Sequence, residues 1–207
     1  MIIYQLAVVR PSDLDAPESS RQPSLILASQ TDLSSFSFFQ RGPAGEFINF
    51  LTTMVAERTK VGQAMAVSKE NHVAHVLRSS HNLCVVAVTD MEYPAMVARS
   101  LVGKINSGFG EQYSSRTVDD ATRKDQLEFE PLKDYIDKYQ DPQQADTIMK
   151  VQKELDDTKV VMHQTIESLL QRGEKLDALV EKSNDLSVQS KTFYKTAKKT
   201  NACCIVM

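Results

Sequence analysis

Two places in this chain carry residues whose type and position could do chemistry: Arg172, and the pair Cys203-Cys204 near the C-terminal end. Arg172 stands in a patterned series. Alternating steps of three and four residues pick out Ile148, Val151, Leu155, Thr158, Met162, Thr165, Leu169, Arg172, Leu176, Leu179, Ser183, Leu186, Ser190, Phe193, Ala197 and Thr200. Ten of these sixteen are apolar and five are small hydroxyl residues, so one guanidinium interrupts what is otherwise a coiled-coil seam. A cation there is costly unless a partner helix meets its donors, and once met it fixes register. The alternative is an arginine that snorkels from the seam edge into water. The tail Cys204-Ile-Val-Met207 is a C-a-a-X box whose methionine favours a farnesyl chain on Cys204, with Cys203 beside it as a thiol open to palmitoylation. Four residues alone say little; following this seam they say more.

The remaining candidates read as structural. His72, His75 and His81 lie on or beside hairpin strands with nothing at metal-ligand spacing, and His163 reads as a solvated residue off the seam. Cys84, inside an apolar run, reads as a small buried hydrophobe. No phosphate-binding loop, zinc-protease motif, C-x-x-C pair or nucleophile elbow occurs. The expectation is no metal, no cofactor beyond covalent lipid, no small-molecule substrate and no catalysis.

The elements that must position these residues follow from pattern. Asp141-Pro142 is a capping carboxylate before a proline at a first helical position, and it opens one long helix over 141–201. Upstream, residues 2–9 read as a strand, Pro11–Pro23 as a polar connection and Leu25–Ala28 as a second strand. After the aromatic segment Ser34–Gln40, Gly42-Pro-Ala-Gly45 opens a helix that carries Phe47, Phe50, Leu51, Met54 and Val55 at helical spacing. Ala64–Val67 and Val73–Leu77 read as a hairpin turning at Lys69-Glu-Asn71. Leu83–Val88 is unbroken apolar sequence, the mark of a central strand covered on both faces. A further helix starts near Asp90 and Pro94, with Met96, Val97, Leu101 and Ile105 inward, and closes at Gly108/Gly110. Residues 111–130 read as a loop and Pro131–Gln140 as a short helix. The order β-β-α-β-β-β-α-α defines an α+β domain with an antiparallel sheet.

The chain has 207 residues and a net charge of −3, so it can bury a core and presents no basic face for nucleic acid. No run of eighteen apolar residues suits a membrane span. The apolar N-terminus lacks a basic lead and a cleavage site, and the sparse cysteines fit a reducing compartment.

The run Glu167-Ser-Leu-Leu-Gln-Arg172-Gly-Glu-Lys-Leu-Asp177 resembles the centre of an R-SNARE motif, with Arg172 at the position of the ionic layer. Phe193–Cys204 resembles the R-SNARE type that ends in a double cysteine and a prenylation box, and the N-terminal part resembles a longin domain. The resemblance implies a profilin-like longin domain over 1–130 with an antiparallel five-stranded sheet and flanking helices. A short helix or linker over 131–140, an R-SNARE coiled coil over 141–201 and a lipidation tail over 202–207 would follow. It implies that the seam residues are layers that zip with three glutamine-type SNARE helices to fuse vesicle and target membranes. Farnesyl would sit on Cys204 and palmitoyl on Cys203. The longin domain would fold back over the SNARE segment through a groove at Phe50 and Phe47. The expected location is cytoplasmic and peripheral on the cytosolic face of Golgi, ER, endosomal, vacuolar or lysosomal and vesicle membranes. Phosphate on Ser183 or Ser190 would place negative charge in the seam and oppose packing. The competing reading is a lipid-anchored coiled-coil tether or adaptor, which Arg172 disfavours because a homodimer would bury two like charges in one layer.

Overall fold

The structure is a computed structural model that describes residues 1–12, 17, 21–79, 82–141 and 162–203. Strands β1 (Ile3–Arg10), β2 (Leu25–Thr31), β3 (Ala64–Lys69), β4 (His72–Arg78), β5 (Cys84–Asp90) and β6 (Met162–Thr165) form one sheet in the order β2-β1-β5-β4-β3-β6. Helices are α1 (Phe38–Arg58), α2 (Ala95–Gln112), α3 (Ser115–Asp120), α4 (Pro131–Tyr139), α5 (Ile166–Leu169), α6 (Leu176–Lys182) and α7 (Val188–Cys203). The chain divides into two compact units. One comprises Met1–Asp32 with Thr52–Leu169, the other Leu33–Leu51 with Leu170–Met207.

The first unit is the α+β domain. The apolar run of β5 lies between β1 and β4, antiparallel to both, and is buried through Thr89. The β3–β4 hairpin turns at Glu70, whose φ of 52° gives the tight reversal expected at Lys69-Glu-Asn71. α2 packs against β4 and β5, and α4 against β1 and β2. Between them lies a core that includes Leu6, Val8, Val85, Ala87, Leu101, Ile105, Phe109 and Ile136. The second half of α1 is tied down by hydrogen bonds. The Thr52 hydroxyl donates to Gln5 Oε1 at 2.7 Å, and Arg78 Nη1 donates to the Thr59 carbonyl at 2.8 Å. Buried Arg10 directs Nη1 at the carbonyls of Val118, Asp119 and Ala121, satisfying the end of α3.

Several expectations are corrected. The sheet has six strands, not five, because β6 adds in parallel to the edge of β3. α1 begins at Phe38, before the expected Gly42-Pro43 turn: the Gln40 and Arg41 amides donate to the Ser37 carbonyl. Pro43 then forgoes only the bond to Phe39, in the exposed first turn. α2 runs past both glycines to Gln112; at Gly108 an added Cβ would come within 3.3 Å of the Phe129 ring, so that glycine serves close packing and not termination. Met96 is 65% exposed, not inward. The 111–130 stretch contains α3, capped by the Ser114 side chain accepting from the Thr117 amide.

The expected single helix over 141–201 is the largest difference. In its described part the chain forms β6, α5, α6 and α7 in succession. A four-residue β ladder takes Met162–Thr165, and Gly173 adopts φ 91°, which breaks any continuous helix. Pro142 and the seam positions Ile148, Val151, Leu155 and Thr158 lie outside the described residues, as do His81 and Cys204.

Candidate functional site

Each unit takes up part of the seam. In the first, β6 hydrogen-bonds alongside β3 in the register Met65↔Met162, Ala66↔His163, Val67↔Gln164 and Ser68↔Thr165. The ladder continues into α5, where Ile166 is buried and Glu167 meets Lys69 Nζ at 2.7 Å. That hydrogen bond is the main reason the Glu167 carboxyl is held below its usual range. Thr165 thus lies on a strand and Leu169 ends a one-turn helix.

In the second unit, α7 lies on the first half of α1. The Phe47 ring stacks on Tyr194 with centroids 5.1 Å apart and an interplanar angle of 29°, and on Phe50 at 6.3 Å. Phe36 meets Phe193 edge-on at 6.3 Å. Beside these rings, Glu46 accepts from the Ser190 hydroxyl at 2.6 Å and from the Ser187 amide at 3.0 Å. Those bonds, Ser190's first, lower the Glu46 pKa. Asp177 on α6 accepts from the Tyr194 hydroxyl at 2.7 Å and pairs with Lys198, which fastens α6 to α7. Lys195 pairs with Glu181 at 2.7 Å in the same way.

Among the seam residues of this unit, Leu176, Leu186 and Ser190 are buried, and Leu179, Ser183, Phe193 and Ala197 are half-buried. Arg172 is exposed. It sits with Gly173 in the middle of a β-turn closed by the Glu174 amide donating to the Gln171 carbonyl at 2.9 Å, while the Glu174 carboxylate accepts from the Gln171 amide. Thr200 and Cys203 belong to α7.

Four residues here escaped sequence reasoning: Tyr194, Val180, Glu46 and Asp177. Tyr194 and Val180 are buried one position off the 3-4 seam. The signal was their apolar character four residues from Ser190 and Leu176, the spacing of a helix lying on a surface and not of a coiled coil. No isolated residue pattern pointed to Glu46.

The titratable groups elsewhere suit structure more than catalysis. Burial pushes the Cys84 thiol up to about 12 and makes it inert. His75 is lowered to about 4, first by burial and then by the charge of His163. Among the described residues no three His, Cys, Asp or Glu side chains gather as a metal site, and no helix is long and apolar enough to cross a membrane.

A six-stranded α+β domain whose following segment carries an arginine-centred apolar seam is the construction of a longin-type R-SNARE. Comparison with known proteins bears this out: residues 33–136 match the family model described as a regulated-SNARE-like domain, and residues 147–205 match the synaptobrevin model. The chain belongs to the longin-bearing synaptobrevin family, whose members act in membrane trafficking and are not enzymes. It is 46% identical over 208 residues to "Synaptobrevin homolog YKT6" of Saccharomyces cerevisiae, covering all of both chains. It is likewise 46% identical over 212 residues to the protein of that name from Candida glabrata, again over all of both. The Schizosaccharomyces pombe "Synaptobrevin homolog ykt6" is 51% identical over 190 residues, 89% of this chain and 93% of that one.

Proposed function

We propose that this chain is a fusion R-SNARE held in check by its own longin domain. One observation carries the reading: seam residues that a four-helix bundle would need, Leu176, Leu186 and Ser190, are already buried, with Ser190 hydrogen-bonded to Glu46 of α1. Zippering with three glutamine-type SNARE helices then has to strip α7 from Phe47 and Glu46 before its layers can repack. Arg172, exposed in its turn here, would move into the helix and meet acceptor side chains of the three partners, which offsets the cost of burying it. Phosphate on Ser190 would meet Glu46, and on Ser183 would enter the seam, so both favour the released state over the closed one.

The anchor is a farnesyl thioether on Cys204, with palmitate on Cys203 as the second signal. A single lipid chain of this kind gives marginal, reversible binding, whereas two commit a protein to a membrane. The anchored protein works on the cytosolic faces of secretory and endolysosomal membranes. Farnesylated full-length chain should pellet weakly with vesicles and release on dilution, and Cys204→Ser should stay in the supernatant under the same treatment.

The deciding experiment is assembly. Full-length chain mixed with three candidate glutamine-type helices should give an SDS-resistant complex. Leu169→Asp should abolish it, and Arg172→Ala should leave a less stable or misregistered one. A homodimer that ignores the partners would instead establish the tether reading.

A further inference from the structure

β2 is the margin of the sheet opposite β6, and only its first half is covered. Its register with β1 slips between Val8 and Val9, a bulge that turns the successive carbonyls of Ile26 and Leu27 outward. The Asp125 and Leu127 amides donate to them, each at 3.0 Å. After Leu127 the chain leaves the margin for α4, and the cover ends.

The direction of the remaining main-chain groups follows from one bond. The Asp32 amide donates to the Tyr4 carbonyl at 2.9 Å, so Tyr4/Asp32 is a hydrogen-bonded pair. Bonded and non-bonded pairs alternate along an antiparallel ladder. Leu6/Gln30 is then bonded, and Gln5/Thr31 and Ala7/Ser29 are not. The N–H and C=O groups of Ser29 and Thr31 therefore point away from β1. Among the described residues no main-chain hydrogen bond takes them up. Beside them, between β2 and the start of α4, lies a groove of about 600 Å³. Its floor is apolar, from the buried side chains of Leu127, Phe129 and Leu132. Its rim is mainly acidic: Glu128, Glu130 and Asp134 are exposed there beside Lys133.

We propose that this margin binds an extended, basic segment of a partner protein, which adds a strand to β2. The open edge supplies donors and acceptors at the spacing of a strand, and the groove beside it takes alternate side chains. The carboxylates choose the sign of the partner. They attract lysine and arginine side chains and repel the phosphates of a membrane or a nucleic acid. Because β2 and β6 are opposite margins of the sheet, the occupant leaves β6 paired with β3. The α+β domain can thus hold a partner while the first part of the seam stays docked, a role separate from fusion.

The test uses isotope-labelled full-length protein and a blocked five-residue peptide of alternating lysine and valine, followed by NMR. Saturable shifts at 28–31 are expected, and exchange of the Ser29 and Thr31 amides should slow by about tenfold at saturation. Glu128→Gln and Glu130→Gln, both on exposed side chains, should each weaken binding by about threefold, and added salt should do the same. Thr31→Pro removes an outward N–H without touching a bond to β1, and should weaken binding by about tenfold. The same peptide methylated on its backbone nitrogens gives a second reading that leaves the protein unaltered, and should not bind. No saturable shift, or shifts confined to 64–69, would overturn the site. A methylated peptide that binds as well as the parent would overturn strand addition. A glutamine–valine analogue that binds as tightly would overturn the basic partner.

Discussion

Arg172 and Gly173 share a turn, and the glycine is what makes the turn affordable. At φ 91° a residue with a Cβ is strained, by about 1–2 kcal/mol. The same glycine weakens a continuous helix by about 1 kcal/mol relative to alanine. Gly173→Ala therefore pushes twice in one direction, against the turn and toward the helix. Amide exchange across 176–203 should speed up in this variant, and assembly with glutamine-type helices should accelerate. His75 makes a different prediction. Its folded pKa lies near 4 against an ordinary 6.5, so between those values the unfolded chain binds a proton that the folded chain refuses. Stability is then full above pH 6.5 and falls as the pH drops toward 4. His75→Leu should reduce the loss between pH 7 and 5 by up to about 2 kcal/mol, read from urea unfolding at the two pH values.

At the scale of elements, α7 is held on α1 by ring contacts and by the Glu46 hydrogen bonds. Phe47→Ala and Tyr194→Ala should each speed exchange in α7, with a coupling of about 1 kcal/mol between them in a double-mutant cycle. The Lys69–Glu167 pair is exposed on the Glu167 side, so Lys69→Glu should loosen β6 only modestly, by about 0.5 kcal/mol at low salt, and less in high salt. These contacts also mark how far sequence could reach. The first five strands, α2 and α4 were legible because burial repeats locally: β5 is apolar throughout, and the hairpin announces its own turn. β6 was not legible. Met162-His-Gln-Thr165 fits the helical seam equally well, and only the free edge of β3, about a hundred residues upstream, decides for a strand. Tyr194 was passed over for its neighbour Phe193, because a 3-4 seam and an α7 lying on α1 bury faces that differ by one position. The packing of α7 on α1 buries one face, and the 3-4 periodicity marks the face that the proposed assembly would bury.

At the scale of the molecule, the proposed function makes the seam serve two packings, and the equilibrium between them would set how much protein is competent to zip. A partner helix must bind the open chain more tightly than closure holds it. Variants that weaken closure should raise assembly rates without changing the stability of the finished complex. The parallel pairing of β6 adds a consequence for the freed state. While docked, its four residues occupy the hydrogen-bonding groups along the margin of β3. Once they leave, that margin becomes bare backbone beside an apolar strand, a template on which another chain can grow. Lys69, at the end of β3, is a natural gatekeeper there. The chain with β6 released is thus a transiently adhesive species, and the short docked strand keeps the resting pool from sticking to itself.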